Sequence, residues 1–228
     1  MDFTIILDNL PLYVQGLWIT IQLVFLALCA GLVLAVPTAL LLTSKNPLVW
    51  GLPYAYVYFF RGTPLLVQLF LIYHGMGQFE TIRESFIWPI FREAYWCALI
   101  AFSLNTGAYT AEILRGAINQ TPWGEIEAAK ACGMRKVTRY RRIILPSAFR
   151  RALPAYGNEV IFMLHGSAVA SIVTLVDLLG AGRIVNARYF APWEAYVTSG
   201  LFYLCLTFAI VYFFKLWERR WSAHLRTR

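Results

Sequence analysis

The sequence predicts an all-α membrane protein with about five transmembrane helices, and two properties of the chain lead to this fold class. Of its 228 residues, 59% are hydrophobic and only 14% are charged, and the mean hydropathy is +0.58; such values are typical of chains that lie in a bilayer. The charged residues also leave several intervals of about 20 residues free of charge, the length that crosses a hydrocarbon core as a helix. No room remains for a sizeable soluble domain, so residues 1–228 are expected to form a single transmembrane domain.

Five hydrophobic segments account for the predicted spans. They cover approximately residues 13–42, 53–73, 95–114, 158–176 and 195–216. The second segment joins two apolar runs across Arg61, which opens the sequence RGTP. Gly62 and Pro64 both weaken a helix. A kinked region with free backbone carbonyls is therefore expected inside the second span.

The distribution of Lys and Arg predicts the orientation of the chain. Placing the N-terminus outside leaves fifteen of the twenty basic residues on the inner side and four on the outer side, with Arg61 in the membrane. Because cytoplasmic loops carry the excess of Lys and Arg, the N-terminus is predicted to be periplasmic and the C-terminus cytoplasmic. The main cytoplasmic loop then covers about 121–150 and a short tail about 217–228, while the outer segments 79–91 and 178–189 are expected to form short surface helices.

The placement of the basic residues argues against a nucleic-acid partner, and the spacing of the cysteines argues against a metal site. The net charge is +8, but the basic residues lie beside hydrophobic segments, so membrane lipid rather than nucleic acid is the predicted partner. The four cysteines form no CxxC pair and have no metal-ligand spacing. Free thiols and no metal site are expected.

The predicted cytoplasmic loop contains the sequence EAAKACGMRKVTRYRRIILP at residues 127–146. Thr121 and Pro122 are suited to a helix start, and Gly133 is suited to the left-handed conformation that ends a helix. This pattern predicts a short helix, a sharp turn at Gly133 and a second, basic helix up to Pro146. The alanines of the first helix allow close approach to another surface, which favours a docking element. An ordinary solvated loop is the alternative, and it explains the charges but not the helix–glycine–helix pattern.

The spacing within this loop resembles the EAA signature of the membrane subunits of ABC importers. Its elements are Glu127, Ala128, Ala129, Gly133, Ile143, Leu145 and Pro146. The stretches YFFRGTPLLVQLF, AYTAEILRGAI and RRALPAYGNEVIFMLHGSAVAS also resemble the polar amino acid permease branch, so the similarity covers essentially the whole chain. The chain is most similar to the M-type subunits of histidine, arginine/ornithine and opine uptake systems.

The resemblance implies a type I ABC importer permease fold in the bacterial inner membrane. In that family, Glu127 to Met134 would form the coupling helix, which docks into a groove of the cytoplasmic ATPase. The implied partners are a homologous Q-type permease subunit in a heterodimer, an ATPase homodimer and a periplasmic amino-acid-binding protein. ATP and Mg are expected on the ATPase and no cofactor on this chain. A P-loop needs Gly-Lys before Ser or Thr, and none of the four lysines follows a glycine.

Several polar residues within the predicted spans are candidates for the transport pathway, because an ionisable group at the bilayer centre costs about 2.5–3.5 kcal/mol on insertion scales. The ionisable candidates are Arg61, Glu112, Glu159 and His165. Arg61 is expected either to belong to a gate at the kink or to stabilise the bundle by pairing with Glu112 or Glu159. The i, i+3 spacing of Glu112 and Arg115 favours a structural ion pair. Asn158 and Glu159 open the predicted fourth span, where the glutamate would cap the helix or present negative charge to the pathway.

His165 bears on the nature of the cargo. Similar permeases for other polar amino acids often carry a lysine at this position, and a mostly neutral imidazole removes repulsion toward a positively charged cargo. A histidine packed between helices is the alternative. Ser167, Ser171 and Thr174 share one face of an α-helix, so they are expected either to line the pathway or to pack as small residues.

The sequence thus predicts a transport subunit that imports basic amino acids such as arginine, ornithine, lysine or histidine. The same role for opines or other polar amino acids is the alternative. Two alternatives belong to other functional classes: a membrane-embedded enzyme, and an ATP-independent channel or carrier. Against the enzyme, the three histidines are far apart in the sequence and no HExxH motif occurs.

Overall fold

The helices of this chain form a bundle, and a computed structural model describes residues 4–221 of it. Within that range every regular element is helical. The elements are α1 (Thr4–Leu42), α2 (Pro47–Gly62), α3 (Leu65–Phe70) continued by a π turn (Leu71–Gly75) and a 3-10 turn (Met76–Gln78), α4 (Glu80–Arg83), α5 (Trp88–Arg92), α6 (Ala94–Asn119), α7 (Trp123–Ala131), α8 (Lys136–Arg139) continued by a π turn (Tyr140–Ile144), α9 (Leu145–Gly166) continued by a 3-10 helix (Ser167–Val173), α10 (Leu178–Tyr189) and α11 (Pro192–Trp221).

The helices reproduce the predicted number of spans when two bent pairs are each counted as one span. In the described part of the chain, α1, α6 and α11 are each long and apolar enough to cross a membrane alone. The first bent pair joins α2 to the segment Leu65–Gln78 at 108°, and the second joins Lys136–Val173 to α10 at 46°. The predicted kink at RGTP is therefore a complete break between two helices.

Two spans begin earlier than the charge-free intervals predict. The first starts at Thr4 rather than near residue 13, because Ile5 and Ile6 pack against the buried cluster around Tyr13 and so continue the helix past the charge of Asp8. The fourth starts at Leu145 rather than near residue 158. Its first turns bury Ala148 and Ala152 against α6, although basic residues lie on the same turns.

Helix α6 lies at the centre of the bundle, where it contacts α1, α2, α3 and α9. Small residues let α1 and α6 approach closely, since a Cβ atom added at Gly107 would lie 3.3 Å from the carbonyl oxygen of Gly31. Ala27 and Ala35 of α1 are fully buried in the same seam. Such close backbone packing is typical of helices that associate within lipid.

The loop between α6 and α9 contains the predicted short helix, α7, followed by a turn at Gly133 with φ of +70°. The second helix does not end at Pro146, as the sequence predicts, but runs from Lys136 through the proline into α9. A π turn ends at Ile144, two residues before Pro146. Since π-helical bonding shifts the backbone partners by one residue, it accommodates the missing N–H of the proline at the start of α9.

The two predicted outer segments are helical. Segment 79–91 contains α4 and most of α5, and segment 178–189 coincides with α10. One side of α10 is buried, because Leu178, Ala181 and Val185 pack around Tyr13 of α1, so this helix packs into the bundle. At the other end of the chain, residues 217–221 of the predicted tail continue α11, and residues 222–228 lie outside the described residues.

Candidate functional site

The first candidate site is the coupling segment, α7 and the turn after it. The N–H of Gly133 bonds to the carbonyl of Lys130 at 2.9 Å, and the N–H of Met134 bonds to the carbonyl of Ala129 at 3.1 Å. This pair of bonds is the Schellman motif, in which a residue of positive φ closes the helix. The positive φ at position 133 favours glycine, and the turn separates α7 sharply from α8.

The exposed face of α7 presents an aromatic group that the sequence analysis did not single out. The indole N–H of Trp123 donates to the Glu127 carboxylate at 2.7 Å, and the Lys130 ammonium lies 5.1 Å from the centre of the Trp123 ring. Ala128 is exposed, whereas Ala129 is buried against the rest of the chain. Apart from Ala129 and the partly buried Ile126, the residues of α7 are exposed, and Trp123, Glu127 and Ala128 are part of this free surface.

The second candidate site lies at the break between α2 and α3. Broken helices leave carbonyl groups that must find other partners inside a membrane. The side-chain amide of Gln68 donates to the carbonyls of Phe60 and Thr63, at 2.8 and 3.0 Å. The Asn105 amide donates to the Phe60 carbonyl at 3.2 Å and to the Gln68 side-chain oxygen at 2.9 Å. Two neutral amides thus satisfy the break.

Arg61 lies at the end of α2 beside a cleft of about 840 Å³, here named the Glu112 cleft. Its guanidinium is 4.0 Å from the Glu112 carboxylate and 5.3 Å from the centre of the Tyr109 ring. Glu112 also accepts from Arg115, with a distance of 2.9 Å from Nε and a second bond from Nη2. The predicted i, i+3 pair is therefore present, and Arg61 pairs with Glu112 as one of its expected partners.

Glu159 lies on a second cleft, here named the Glu159 cleft, which has a volume of about 550 Å³ and shares Thr63 with the first. Its carboxylate is buried and accepts from the Thr106 hydroxyl at 2.8 Å. Asn158 is exposed on the same cleft. Both residues lie in the interior of α9, because this helix begins at Leu145. The expectation that Glu159 caps a helix start is wrong, which leaves its charge facing the cleft.

The remaining pathway candidates lie away from the Glu159 cleft. The His165 ring Nε2 is 3.0 Å from the Thr207 hydroxyl of α11, and the histidine is exposed. Ser167 and Ser171 are buried, and their hydroxyls donate to the carbonyls of Leu164 and Ala168. The segment is a 3-10 helix, so the α-helical spacing that places these serines and Thr174 in one stripe does not apply. Their geometry is that of packed small residues.

Three uncharged residues of this region escaped the sequence analysis. Gln68, Asn105 and Thr106 are each buried and hold the break or the Glu159 carboxylate. Because these residues are uncharged, the cost of placing an ionisable group in the membrane does not single them out. A side-chain amide within an apolar run is the feature of the sequence that points to Gln68 in LLVQLF and to Asn105 in FSLNTG.

Comparison with known proteins identifies the family. The model for "Binding-protein-dependent transport system inner membrane component" matches residues 27–223. The chain is 42% identical over 229 residues to the nopaline transport system permease protein NocM of Agrobacterium fabrum, covering 100% of this chain and 95% of that protein. It is 42% identical over 212 residues to the histidine/lysine/arginine/ornithine transport system permease protein HisM of Escherichia coli K12, covering 92% and 89% of the two chains.

Solved structures show the same architecture. A crystal structure of an amino acid ABC transporter with histidines matches with a TM-score of 0.86 at 33% identity, covering 96% of this chain and 99% of that one. An inward-facing structure of the MetNI methionine ABC transporter matches with a TM-score of 0.78 and covers 97% and 99% of the two chains; at 19% identity this likeness concerns the fold alone. The predicted type I ABC importer permease fold is confirmed.

These matches decide between the function classes that the sequence left open. The family consists of transport subunits whose ATP is hydrolysed by a separate ATPase. The membrane-embedded enzyme and the ATP-independent carrier are therefore both wrong. The chain belongs to the family of binding-protein-dependent transport system inner membrane components, as a permease subunit of an ABC importer of amino acids or opines.

Proposed function

We propose that this permease subunit imports basic amino acids such as arginine, ornithine, lysine and histidine, and that the cargo passes the Glu159 cleft. The observation that carries the proposal is the single carboxyl group of this cleft. Among the described residues that line it, Glu159 is the only acidic one, and none is Lys, Arg or His. The other polar groups on its surface are neutral, among them Asn105, Asn158 and Tyr109.

The surroundings of Glu159 favour a cationic cargo. Its hydrogen-bond partner is the neutral hydroxyl of Thr106, and Arg61, although within electrostatic range, is shared with Glu112. At an effective dielectric constant of 20, two opposite charges 4 Å apart attract by about 4 kcal/mol. A guanidinium or ammonium group of the cargo is therefore attracted to this cleft, whereas a carboxylate at the same place is repelled.

The cleft also has a suitable size. Small-molecule sites commonly have volumes of about 300–1,000 Å³ and combine apolar walls with a few placed polar groups. The Glu159 cleft, at about 550 Å³, has Phe162 and Met163 as apolar lining beside Asn158 and Glu159. His165 contributes because position 165 carries no lysine or arginine, and the carboxyl group of Glu159 is the stronger feature.

Opines are the second candidate cargo. Two groups of similar proteins are named for them, the nopaline permease NocM and the octopine permeases OccM, and the octopine permease of Rhizobium radiobacter is 44% identical to this chain over 207 residues. The HisM name supports histidine, lysine, arginine and ornithine instead. The two groups are about equally similar, so the cargo has to be measured.

The proposed assembly follows the expectations from the sequence. This chain pairs with a homologous Q-type permease subunit, a periplasmic binding protein delivers cargo to the outer side, and an ATPase homodimer that binds ATP and Mg docks on α7. The N-terminus is periplasmic and the C-terminus cytoplasmic, in the inner membrane. ATP-driven closure of the motor subunits moves α7, and the helix bundles alternate between outward-open and inward-open states.

The test is uptake of labelled L-arginine by cells that lack this gene and carry it on a plasmid. Ornithine, histidine, octopine, glutamine and glutamate serve as unlabelled competitors. We expect uptake that only the cationic amino acids block. Competition by glutamine or glutamate would overturn the basic cargo, and competition by octopine alone would favour the opine.

A matched pair of variants tests the role of the cleft. Glu159→Gln removes the charge but keeps the shape and the acceptor for Thr106, and we expect arginine uptake to fall about tenfold, the effect of losing one charged interaction. Glu80→Gln removes an exposed carboxylate in the outer helix α4, and uptake should stay unchanged. Equal uptake by both variants would contradict the proposed role of Glu159.

A further inference from the structure

Arg151, in the second turn of α9, joins three elements through its guanidinium. Its Nε and Nη2 donate to the carbonyl oxygen of Ala117 in α6, at 3.2 and 3.0 Å. Nη2 also donates to the Thr121 hydroxyl at 2.8 Å, and Nη1 donates to the Ser147 hydroxyl at 2.6 Å. Arg151 lies outside both clefts of the candidate site, so the transport pathway as described makes no use of it.

The Ala117 carbonyl is one that the end of a helix leaves unsatisfied. In a continuing helix it would accept the N–H of Thr121, but that N–H bonds to the carbonyl of Ile118 instead. Carbonyls in the last turn of a helix need such outside partners, and a cation there also interacts favourably with the helix dipole. Arg151 therefore holds the C-terminal end of α6 from the side of α9.

The same contacts extend to α7. Thr121 is buried in the short connection between α6 and α7, and its hydroxyl both accepts from Arg151 and donates to the Ile118 carbonyl. The Ser147 hydroxyl, bonded to Arg151, lies 3.4 Å from the Glu125 carboxylate of α7. The segment that joins α6 to α7 is therefore fixed to α9, the helix that carries Glu159, and a movement of α7 acts on this fixed segment.

We propose that Arg151 is a positioning residue for energy coupling: it locks the end of α6, the α6–α7 connection and α9 into one unit, so that a displacement of α7 reaches α9 instead of being absorbed by the connection. The proposal rests on the proposed docking of the ATPase on α7. Without the guanidinium, the connection between α6 and α7 yields and ATP is hydrolysed with little transport.

The test uses the complete transporter, with partner permease, ATPase and binding protein, in proteoliposomes. Arg151→Ala is compared with Arg150→Ala, because Arg150 is adjacent and exposed, and its side chain makes no hydrogen bond or ion pair to any described residue. The ratio of ATP hydrolysed to amino acid imported is measured for both. We expect this ratio to rise about tenfold in Arg151→Ala, the effect of losing bonds to a charged group, and to stay at the wild-type value in Arg150→Ala.

Hydrogen exchange at residues 119–125 provides a readout that needs no transport. We expect faster exchange there in Arg151→Ala and unchanged exchange in Arg150→Ala. Arg151→Lys and Thr121→Val each remove part of the contacts, and they carry the test with intermediate effects if Arg151→Ala does not assemble. An unchanged ratio, or a raised ratio with wild-type exchange at 119–125, overturns the proposal. A wild-type transporter that imports no basic amino acid refutes the proposed cargo instead, and the exchange result then still shows whether Arg151 holds the connection between α6 and α7.

Discussion

Replacing Gly107 by alanine tests the contact between α1 and α6. The added Cβ would lie 2.8 Å from the Tyr56 hydroxyl oxygen and 3.3 Å from the carbonyl oxygen of Gly31. The Tyr56 hydroxyl donates to the Leu104 carbonyl at 2.7 Å, so it cannot move away without losing that bond. Overpacking costs about 1–3 kcal/mol, the lost hydrogen bond adds about 1 kcal/mol, and the higher helix propensity of alanine returns about 1 kcal/mol. A net loss of about 1–3 kcal/mol in unfolding free energy follows.

The measurement is the thermal unfolding midpoint of the purified transporter in detergent. Gly116→Ala is the matched control, because it lies in the same helix and an added Cβ meets nothing within 4 Å. Its midpoint should stay unchanged or rise, since only the gain in helix propensity applies. If Gly107→Ala unfolds at the same temperature as Gly116→Ala, the seam between α1 and α6 is looser than the backbone contact implies.

Three further substitutions test the coupling segment and the break. Gly133→Val puts a branched side chain at φ of +70°, which costs about 1–2 kcal/mol. Less ATPase should therefore co-purify with this variant. Gly133→Asn is the control, because asparagine tolerates this conformation, and it should retain the ATPase. Glu112→Gln removes the carboxylate beside Arg61. Because the pair is partly exposed, the free energy of unfolding should change by less than about 1 kcal/mol. Arginine uptake in vesicles should nevertheless slow, because unpaired cations then face the cargo. Gln68→Leu leaves the Thr63 carbonyl without the amide donor and the Phe60 carbonyl with Asn105 alone. A loss of about 1–3 kcal/mol in unfolding free energy is expected, and an unchanged midpoint would mean that another group satisfies the Thr63 carbonyl.

The backbone preferences of single residues predicted where this chain turns and where its second span is interrupted. The turn at Gly133 and the break at RGTP both follow from the backbone preferences of single residues, and both are present. The start of α9 was not predictable in this way. The sequence predicts a basic helix that ends at Pro146, and only contacts with α6, such as the burial of Ala148 and Ala152, show that the helix continues into the fourth span.

The candidate site was predicted in part. The pairing of Glu112 with Arg115 follows from sequence spacing, whereas the sequence left both Glu112 and Glu159 open as partners of Arg61. The spatial relation of Glu159 to Thr106 could not be predicted, because the two residues are 53 positions apart and meet only through the packing of α6 against α9. Likewise the 3-10 geometry after Gly166 redirects Ser167 and Ser171, and no local signal in LHGSAVAS distinguishes it from an α-helix.

The amide pair of Gln68 and Asn105 has an evolutionary consequence. It supports the interrupted second span with neutral groups alone, so the architecture of the break does not depend on any formal charge nearby. The carboxylate of Glu159 is hydrogen-bonded to Thr106 and not to Gln68 or Asn105. Replacing Glu159 therefore leaves the amide pair at the break in place. If Glu159 sets the charge of the cargo, as proposed, descendants of such a permease can change that charge through a single position while the interrupted helix is inherited unchanged.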